Sequence, residues 1–417
     1  MFFNLSDPMD GKRQQWGETW YQPLLYYLTA PFVWLLPFTI TTARLPMAVI
    51  GGVITPLLMF AMARRVIGGG WTPLIAALIV ALAPTHVVLS RQALDYVLPL
   101  PFVIGWMICL HAFVQTRQTR FAIWIGALLG VGCYSYIASW ALMPAFLLVS
   151  WAVMIKAQSP SGAAAVGWVP TAPILASAIA FTIPVAIGAL WVIAHPEMIA
   201  QTMTRYGVTE GPKYGFFETY LSMWHPTVLF VRGGPSLVTS TARSGFVLLP
   251  VALLLIAGGI ELWRRRDWFA FVVAAGLVLS PLPAAFKGEP SMIQRAVYLL
   301  PFLALVGAMG WAMLWRRSLL GRSIAIVAVA AAPFQFGYFY FDYFTHYKLR
   351  SAFYYDNVAF RDVARYLMAA ADTPAYFFSN DLDDGSVKWR FYTIEQGREA
   401  LLSRTTYFEA GDVPAAP

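Results

Sequence analysis

The chain has 417 residues, of which 59% are hydrophobic and only 12% are charged. A soluble globular domain carries about 25% charged residues, so this composition excludes a water-soluble fold and indicates a membrane protein. The net charge of +8 does not indicate a nucleic-acid-binding protein, because the basic residues stand at the ends of apolar stretches and not along one face.

Apolar stretches long enough to cross a membrane follow a short polar beginning. Residues 20–38 are rich in aromatic residues and contain three prolines, which predicts a segment that lies along the membrane surface. A helix needs about 20 apolar residues to cross the hydrocarbon layer. We predict ten spans near 43–63, 71–89, 95–114, 121–137, 138–155, 169–194, 245–263, 268–286, 295–315 and 319–341.

The C-terminal residues have a different pattern. Residues 356–371 have the apolar spacing of a helix, residues 375–379 favour a strand, and residues 380–385 favour a turn. The predicted fold is thus an all-α polytopic membrane bundle with a small α/β segment at its end. We divide the chain into 1–42, a bundle at 43–341 that includes a polar loop at 195–243, and 342–417.

The basic residues predict the orientation of the bundle. Lys and Arg concentrate in cytoplasmic loops, which places 1–42, 195–243 and the C-terminal segment on the outer side. Because residues 1–42 have no earlier span to carry them outside, we expect a chain that lacks its first helix. The clusters that mark the inside are Arg64, Arg65, Arg117, Arg120, Lys156, Arg264, Arg265, Arg266, Arg316 and Arg317.

The first candidate site lies between the second and third spans and contains His86, Arg91 and Asp95. Four residues separate Arg91 from Asp95, which predicts that both lie on one face of a helix. They form either a structural ion pair or a functional pair. In the second case the carboxylate is a base or a metal ligand and the guanidinium binds a phosphate.

A second candidate site contains Lys287, Glu289 and Arg295, before the ninth span. Basic residues on the outer side run against the positive-inside rule and suit an anionic lipid phosphate, which arginine binds through two nitrogens. The alternative is that these side chains only extend to the lipid headgroups.

Two further segments contain candidate residues. Arg232 precedes Gly233 and Gly234 in a loop that also contains His225 and Arg243, where side chain and backbone could hold an anion. The alternative for this segment is a plain loop. Tyr136, between the fourth and fifth spans, is either a cavity residue or an interfacial aromatic.

These segments resemble those of a known family of membrane enzymes. The matching stretches, in order, are WYQPLLYYLTAP, ARLPMAVIGG, LAPTHVVLSRQALDYVLP, GCYSYIA, LFVRGG and PLPAAFKGEPSMIQRA. They cover most of residues 20–300. With this order and spacing the chain resembles the GT-C membrane glycosyltransferases, in the family 39-like group with protein mannosyltransferases and aminoarabinose transferases.

The resemblance implies an inverting glycosyltransferase in a bacterial inner membrane, with its site on the periplasmic face. Its donor would be a polyprenyl-phosphate sugar and its acceptor a glycan, a lipid or a protein. Asp95 matches the second-loop acidic position, and Lys287 and Arg295 match the basic region near the lipid phosphate. Arg91 and Arg232 are further candidates for that phosphate. Relatives differ in their need for a divalent metal, so the resemblance leaves metal dependence open.

The resemblance also implies an N-terminal truncation. Related chains begin with a span and a loop that carries an Asp-Glu pair, whereas this chain begins inside that loop. Asp7 and Asp10 remain there as alternative bases. Two other functions stay open: a truncated homologue that binds the lipid carrier without transfer, and a membrane transporter.

Overall fold

The computed structural model describes residues 3–4, 20–158, 171–205, 211–356, 360–369, 375–378 and 385–408. Helices make up most of these ranges. In chain order they are α1 (Pro23–Leu35), α2 (Ile40–Val49), α3 (Thr55–Val66), α4 (Thr72–Ala81), α5 (Pro84–Ser90), α6 (Pro99–Thr116), α7 (Thr119–Gly132), α8 (Ser139–Gln158), α9 (Thr171–Ala194), α10 (Glu197–Arg205), α11 (Phe216–Ser222), α12 (Val251–Arg264), α13 (Trp268–Leu279), α14 (Leu282–Lys287), α15 (Leu299–Arg317), α16 (Leu319–Phe344), α17 (His346–Arg350), α18 (Ala352–Asp356), α19 (Phe360–Ala369) and α20 (Gly385–Glu395).

Two small sheets accompany the helices. Strand β1 (Phe3–Asn4) pairs antiparallel with β2 (Trp20–Tyr21), and β3 (Ala375–Phe378) pairs parallel with β4 (Thr405–Phe408).

Every predicted span contains a helix, and the all-α polytopic fold is confirmed. Within the described residues, seven helical segments are long and apolar enough to cross a membrane. The pair α4 and α5, bent by 58°, would be an eighth. The predicted spans at 121–137 and 245–263 contain α7 and α12, which have only 14 residues each. The seven segments are Ile40–Val66, Asp95–Thr116, Ser139–Lys156, Thr171–Ala194, Trp268–Lys287, Leu299–Arg317 and Leu319–Phe344.

Helix α15 forms the centre of the bundle, where 83% of its apolar window is buried. Its closest neighbour is α12, and glycines make that approach possible. A Cβ atom added at Gly258 would lie 1.8 Å from the carbonyl oxygen of Val306, and one added at Gly310 would lie 1.9 Å from that of Leu254. Small residues commonly line such contacts in membrane proteins, because they let two helix backbones approach closely.

Helix α9 packs at the edge of the bundle on a second glycine contact. Cβ atoms at Gly126 and Gly130 of α7 would lie 2.1 Å and 2.6 Å from carbonyl oxygens of α9. Only 6% of the apolar window of α9 is buried, so the rest of this helix faces outward. Helix α16 is similarly peripheral, with 17% buried.

The bundle has two chemically different ends. Helix α15 has 19 residues, and at a rise of 1.5 Å per residue it separates these ends by about 28 Å. At its C-terminal end, Arg316 and Arg317 line a small cavity of about 230 Å³ together with Arg265 and Glu261. The loops that precede α6, α12 and α15 lie at the other end.

The C-terminal helices and strands form the predicted small α/β segment. Helix α19 and strand β3 fall within the predicted helix and strand, whereas most of the predicted turn at 380–385 lies outside the described residues. The ring of Phe391 lies 4.9 Å from that of Phe38, which joins this segment to the beginning of the bundle. Its own core contains Phe360, Ala364, Met368, Trp389 and Leu401.

The predicted surface segment at 20–38 contains α1. Trp34 and Leu35, at the end of this helix, are strongly exposed, as an interfacial segment requires. Its position at the membrane surface stays a prediction.

Candidate functional site

Arg91 and Asp95 do not share a helix face, so that prediction is wrong. Helix α5 ends just before Arg91, and Asp95 begins a separate 3-10 turn that leads into α6. No ion pair joins the two side chains. The guanidinium of Arg91 instead lies 4.9 Å from the ring centre of Phe344 and 5.7 Å from that of Tyr343, whose hydroxyl it also contacts.

Asp95 is half-buried beside a group of tyrosines. Its charge acts on the hydroxyl groups of Tyr96 and Tyr298, and the charge of Arg295 also acts on Tyr96. The ring of Tyr136 packs edge-to-face on Tyr96 at 5.5 Å. The structure therefore brings together three residues from the sequence analysis, Asp95, Tyr136 and Arg295. Because Tyr136 is buried, the interfacial alternative for it is wrong.

A chain of hydrogen bonds fixes Tyr298 in this group. Its hydroxyl lies 2.6 Å from the hydroxyl of Ser139, which lies 3.0 Å from that of Ser135. Ser135 donates to the carbonyl oxygen of Gly132 at 2.5 Å. All three hydroxyl-bearing residues are fully buried. The sequence analysis missed Tyr96 and Tyr298, although one is adjacent to Asp95 and the other follows Arg295 by three residues.

A cavity of about 890 Å³ lies at the same end of the bundle. It is bounded by the loop that follows the π-helical turn Thr227–Val231, by the segment before α15, and by α16. Its polar lining includes Ser222, His225, Arg232, Arg243, Ser291 and Tyr338. This volume is large enough for a small-molecule ligand, which typically occupies a cleft of about 300–1,000 Å³.

Arg232 is exposed at the cavity, and its loop is tightly folded behind it. Its carbonyl oxygen accepts a hydrogen bond from the Ser240 hydroxyl at 3.1 Å. Gly233 has a φ of +71°, and a Cβ at Gly234 would lie 2.9 Å from the carbonyl oxygen of Ser291. The two glycines therefore allow the loop to turn and to pack on the segment before α15. This packing role differs from the anion cradle considered in the sequence analysis.

Arg243 is the second guanidinium of the cavity, and it is paired with a buried carboxylate. Its Nη1 lies 3.3 Å from Oδ1 of Asp342, whose side chain is only 3% exposed. Arg350 donates to both oxygens of Asp342, at 2.9 Å and 2.7 Å. Two guanidinium groups thus contact one carboxylate, and Arg232 lines the same cavity as Arg243. The excess of positive charge makes this end of the cavity attractive to an anion.

Two strained residues also line the cavity. Ala242 has a φ of +55° and Ser291 a φ of +60°. Among the described non-glycine residues, only Arg117, at the end of α6, shares this left-handed conformation. Each such residue costs about 1 kcal/mol or more, and this kind of strain is concentrated at functional sites. No local pattern in the sequence marks Ala242 or Ser291, because alanine and serine are not typical of this conformation.

The other candidates lie elsewhere. Lys287 forms an ion pair with Glu289 at 3.3 Å and is only 13% exposed, so its charge is already compensated. His86 is buried against the π-helical turn Ile50–Ile54 and is not among the residues that line the cavity. Asp7 and Asp10 lie outside the described residues. The described residues contain no group of three His, Cys, Asp or Glu side chains that could hold a metal ion.

Comparison with known proteins identifies the fold. Residues 21–203 match the family model described as dolichyl-phosphate-mannose-protein mannosyltransferase. The chain is similar to the crystal structure of ArnT from Cupriavidus metallidurans bound to undecaprenyl phosphate, with a TM-score of 0.51 and 14% identity. The alignment covers 91% of this chain and 66% of ArnT, slightly less than two thirds. The chain is a membrane protein of the GT-C fold, and less than half of it matches the mannosyltransferase family model.

A second GT-C structure is also similar to this chain. It is the archaeal oligosaccharyltransferase AglB from Archaeoglobus fulgidus, in complex with an inhibitory peptide and a dolichol phosphate. Its TM-score is 0.49 at 13% identity, over 93% of this chain and 56% of AglB. No curated protein sequence matches the chain.

The match to the mannosyltransferase family model covers only some of the residues described above. Asp95, Tyr96 and Tyr136 lie within residues 21–203, whereas Arg232 and the other cavity residues lie beyond them. The cavity is therefore assigned by the structure of this chain and not by the family match.

Proposed function

We propose that this protein is an integral membrane glycosyltransferase that moves a sugar from a polyprenyl-phosphate carrier to a hydroxyl group of a glycan, a lipid or a protein. One observation carries the proposal. Two guanidinium groups, those of Arg232 and Arg243, line a large cavity at the end of a GT-C bundle that also positions Asp95. Guanidinium groups suit phosphate oxygens because their fork of N–H donors matches phosphate geometry.

The proposed reaction is a single displacement at the anomeric carbon of the donor sugar. The acceptor oxygen forms a bond to that carbon while the carbon–oxygen bond to the phosphate breaks. The phosphate leaves with the electron pair, and the acceptor proton passes to the Asp95 carboxylate as general base. Such a displacement inverts the anomeric configuration. Arg232 and Arg243 would stabilise the negative charge that develops on the departing phosphate.

Two features support Asp95 as the base. Its carboxylate makes no ion pair with a described residue, so no cation holds it in the charged form. Its charge also acts on the hydroxyl groups of Tyr96 and Tyr298, which can donate hydrogen bonds. The charge of Arg295, which also acts on Tyr96, would add positive charge near the base.

The distribution of arginines supports a site on the outer face of a bacterial inner membrane. Arg265, Arg316 and Arg317 gather at the end of the bundle opposite the cavity. Cytoplasmic loops carry an excess of Lys and Arg, so that end would face the cytoplasm and the cavity would face the periplasm.

The direct test is sugar transfer in proteoliposomes. The purified protein is supplied with polyprenyl-phosphate sugars carrying a labelled sugar, together with a membrane extract as the source of acceptors. We expect the wild type to release polyprenyl phosphate and to label an acceptor. Arg232→Ala should lower the initial rate about tenfold or more, since a hydrogen bond to a charged group contributes about 1.5–3 kcal/mol.

The matched control is Arg361→Ala, which removes an exposed arginine of α19 and should leave the rate unchanged. A wild-type protein that binds polyprenyl phosphate but releases none from any donor would contradict the transferase proposal. That result would instead favour a carrier-binding protein.

A further inference from the structure

The carboxylate of Asp342 is shared unequally between two arginines. Arg350 binds both of its oxygens, with distances of 2.9 Å and 2.7 Å. Arg243 reaches only Oδ1, at 3.3 Å. A bidentate arginine–carboxylate pair is stronger than a single long contact, so Arg350 holds Asp342 more firmly than Arg243 does.

The arginine that binds Asp342 more firmly is also the more buried of the two. The Asp342 side chain is 3% exposed and that of Arg350 is 25% exposed, whereas the Arg243 side chain is 51% exposed and lines the cavity. His346 is a more distant neighbour, with Nδ1 3.8 Å from Asp342 Oδ1. A buried carboxylate without a cation is strongly destabilising. Because Arg350 remains bound, Arg243 can leave Asp342 without creating that situation.

The backbone of the loop that carries Arg243 is held independently of its side chain. Arg350 also donates to the carbonyl oxygen of Thr241 at 3.1 Å. The Tyr347 hydroxyl donates to the carbonyl oxygen of Leu237, and the Tyr355 hydroxyl donates to that of Val238. These contacts fix the loop from α17 and α18. The Arg243 side chain can therefore change its partner while its backbone stays in place.

We propose that Arg243 exchanges between two anions, the Asp342 carboxylate and the phosphate monoester of an isoprenoid ligand in the cavity, and that Arg350 permits this exchange by neutralising Asp342. The inference rests on the proposed function, because the phosphate is that of the proposed lipid carrier. Arg243 is then a binding residue. Asp342 and Arg350 are positioning residues that touch no ligand.

The proposed exchange predicts how substitutions of Arg350 and Arg243 change the affinity of the protein for a short isoprenoid phosphate. Without Arg350, Arg243 becomes the main cation of Asp342 and is retained there. Arg350→Ala should therefore weaken binding about tenfold, although Arg350 does not line the cavity. In a chain that already carries Arg243→Ala, Arg350→Ala should have no further effect.

The experiment is a double-mutant cycle with farnesyl monophosphate as the probe, measured by calorimetry on the full chain in nanodiscs. Arg243→Ala, Arg350→Ala and the double variant are compared with the wild type. Non-additivity shows that Arg350 acts through Arg243, because independent sites give additive effects. The matched control is Arg365→Ala, an exposed arginine 4.0 Å from an exposed aspartate, which should bind like the wild type.

Arg350→Lys covers the case in which Arg350→Ala does not fold. Lysine keeps a positive charge near Asp342 but loses the bidentate contact, so its affinity should fall between those of the wild type and Arg350→Ala. This intermediate loss should also disappear in the Arg243→Ala background. Additive losses, unchanged affinity in both Arg350 variants, or no probe binding by the wild type would overturn the exchange.

The two proposals fail differently. If the binding affinities for the probe are non-additive as predicted but no polyprenyl-phosphate sugar is turned over, the proposed exchange is supported and the proposed transferase activity is refuted. If sugar is transferred and the losses of affinity in the Arg243 and Arg350 variants are additive, the transferase activity is supported and the exchange is refuted.

Discussion

Replacing Gly258 with alanine should destabilise the bundle, whereas the same change at the adjacent Gly259 should not. A Cβ at Gly258 would lie 1.8 Å from the carbonyl oxygen of Val306 and 2.7 Å from its carbonyl carbon. Nothing lies within 4 Å of a Cβ at Gly259. Non-bonded carbon and oxygen atoms stay about 3.3 Å apart, so α12 and α15 would have to separate by about 1.5 Å.

The two substitutions should change the stability of the bundle in different ways. Overpacking a buried contact costs about 1–3 kcal/mol, and α15 has no free side toward which it could shift. In the middle of a helix, alanine is favoured over glycine by about 1 kcal/mol, so Gly259→Ala should be neutral or stabilising. Because the helix preference for alanine applies to both positions, we expect the free energies of unfolding of the two variants to differ by the overpacking cost, about 1–3 kcal/mol.

Unfolding of the detergent-solubilised protein by heat or denaturant measures this difference. A functional measurement can accompany it, because α15 begins directly after Tyr298 and its displacement would move the tyrosine group beside Asp95. Sugar transfer should therefore fall for Gly258→Ala and not for Gly259→Ala. Equal stability of the two variants would refute the close contact between α12 and α15.

Three further predictions concern the site. Asp95→Asn should lower the transfer rate about 100-fold or more, while the lipid carrier still binds. The control is Asp362→Asn, which changes an exposed aspartate. An unchanged transfer rate in Asp95→Asn would exclude Asp95 as the base. Ala242→Val should lower the midpoint of thermal unfolding, because a β-branched residue is strained at positive φ. Ala242→Gly should not lower it, because glycine adopts positive φ without strain. Equal midpoints for the two variants would exclude backbone strain at position 242. Lys287→Met should keep the affinity for farnesyl monophosphate within about twofold of the wild-type value, because the charge of Lys287 is already compensated by Glu289 and is not available to the probe.

The membrane-spanning architecture could be predicted because its signal is local. Apolar length and terminal arginines identify a span without knowledge of its neighbours, and every predicted span contains a helix. Asp95 and Arg295 could each be recognised as candidate residues from the sequence, but in two separate candidate sites. The tyrosines of this group could not be distinguished in the same way, because the chain contains 20 of them.

The features that the sequence did not predict correctly depend on contacts between distant segments. The helix predicted to join Arg91 to Asp95 ends at Ser90. Just beyond it, the side-chain nitrogen of Gln92 donates to the carbonyl oxygen of Val238 at 2.5 Å and to the Tyr355 hydroxyl at 2.7 Å. The pairing of Arg243 with Asp342 connects residues that are 99 positions apart. Helical spacing describes neighbours within one element and gives no information about such partners.

The unequal burial of the helices also determines how freely the sequence can change. Every position of α15 from Leu299 to Ala312 is buried against protein, so this helix should reject both polar residues and apolar residues of a different size. Most of α9 faces outward, and lipid tails adapt their shape to any apolar side chain. Over evolutionary time α9 should therefore keep its hydrophobicity and exchange its residues, except along the face that meets Gly126 and Gly130, while α15 keeps its residues.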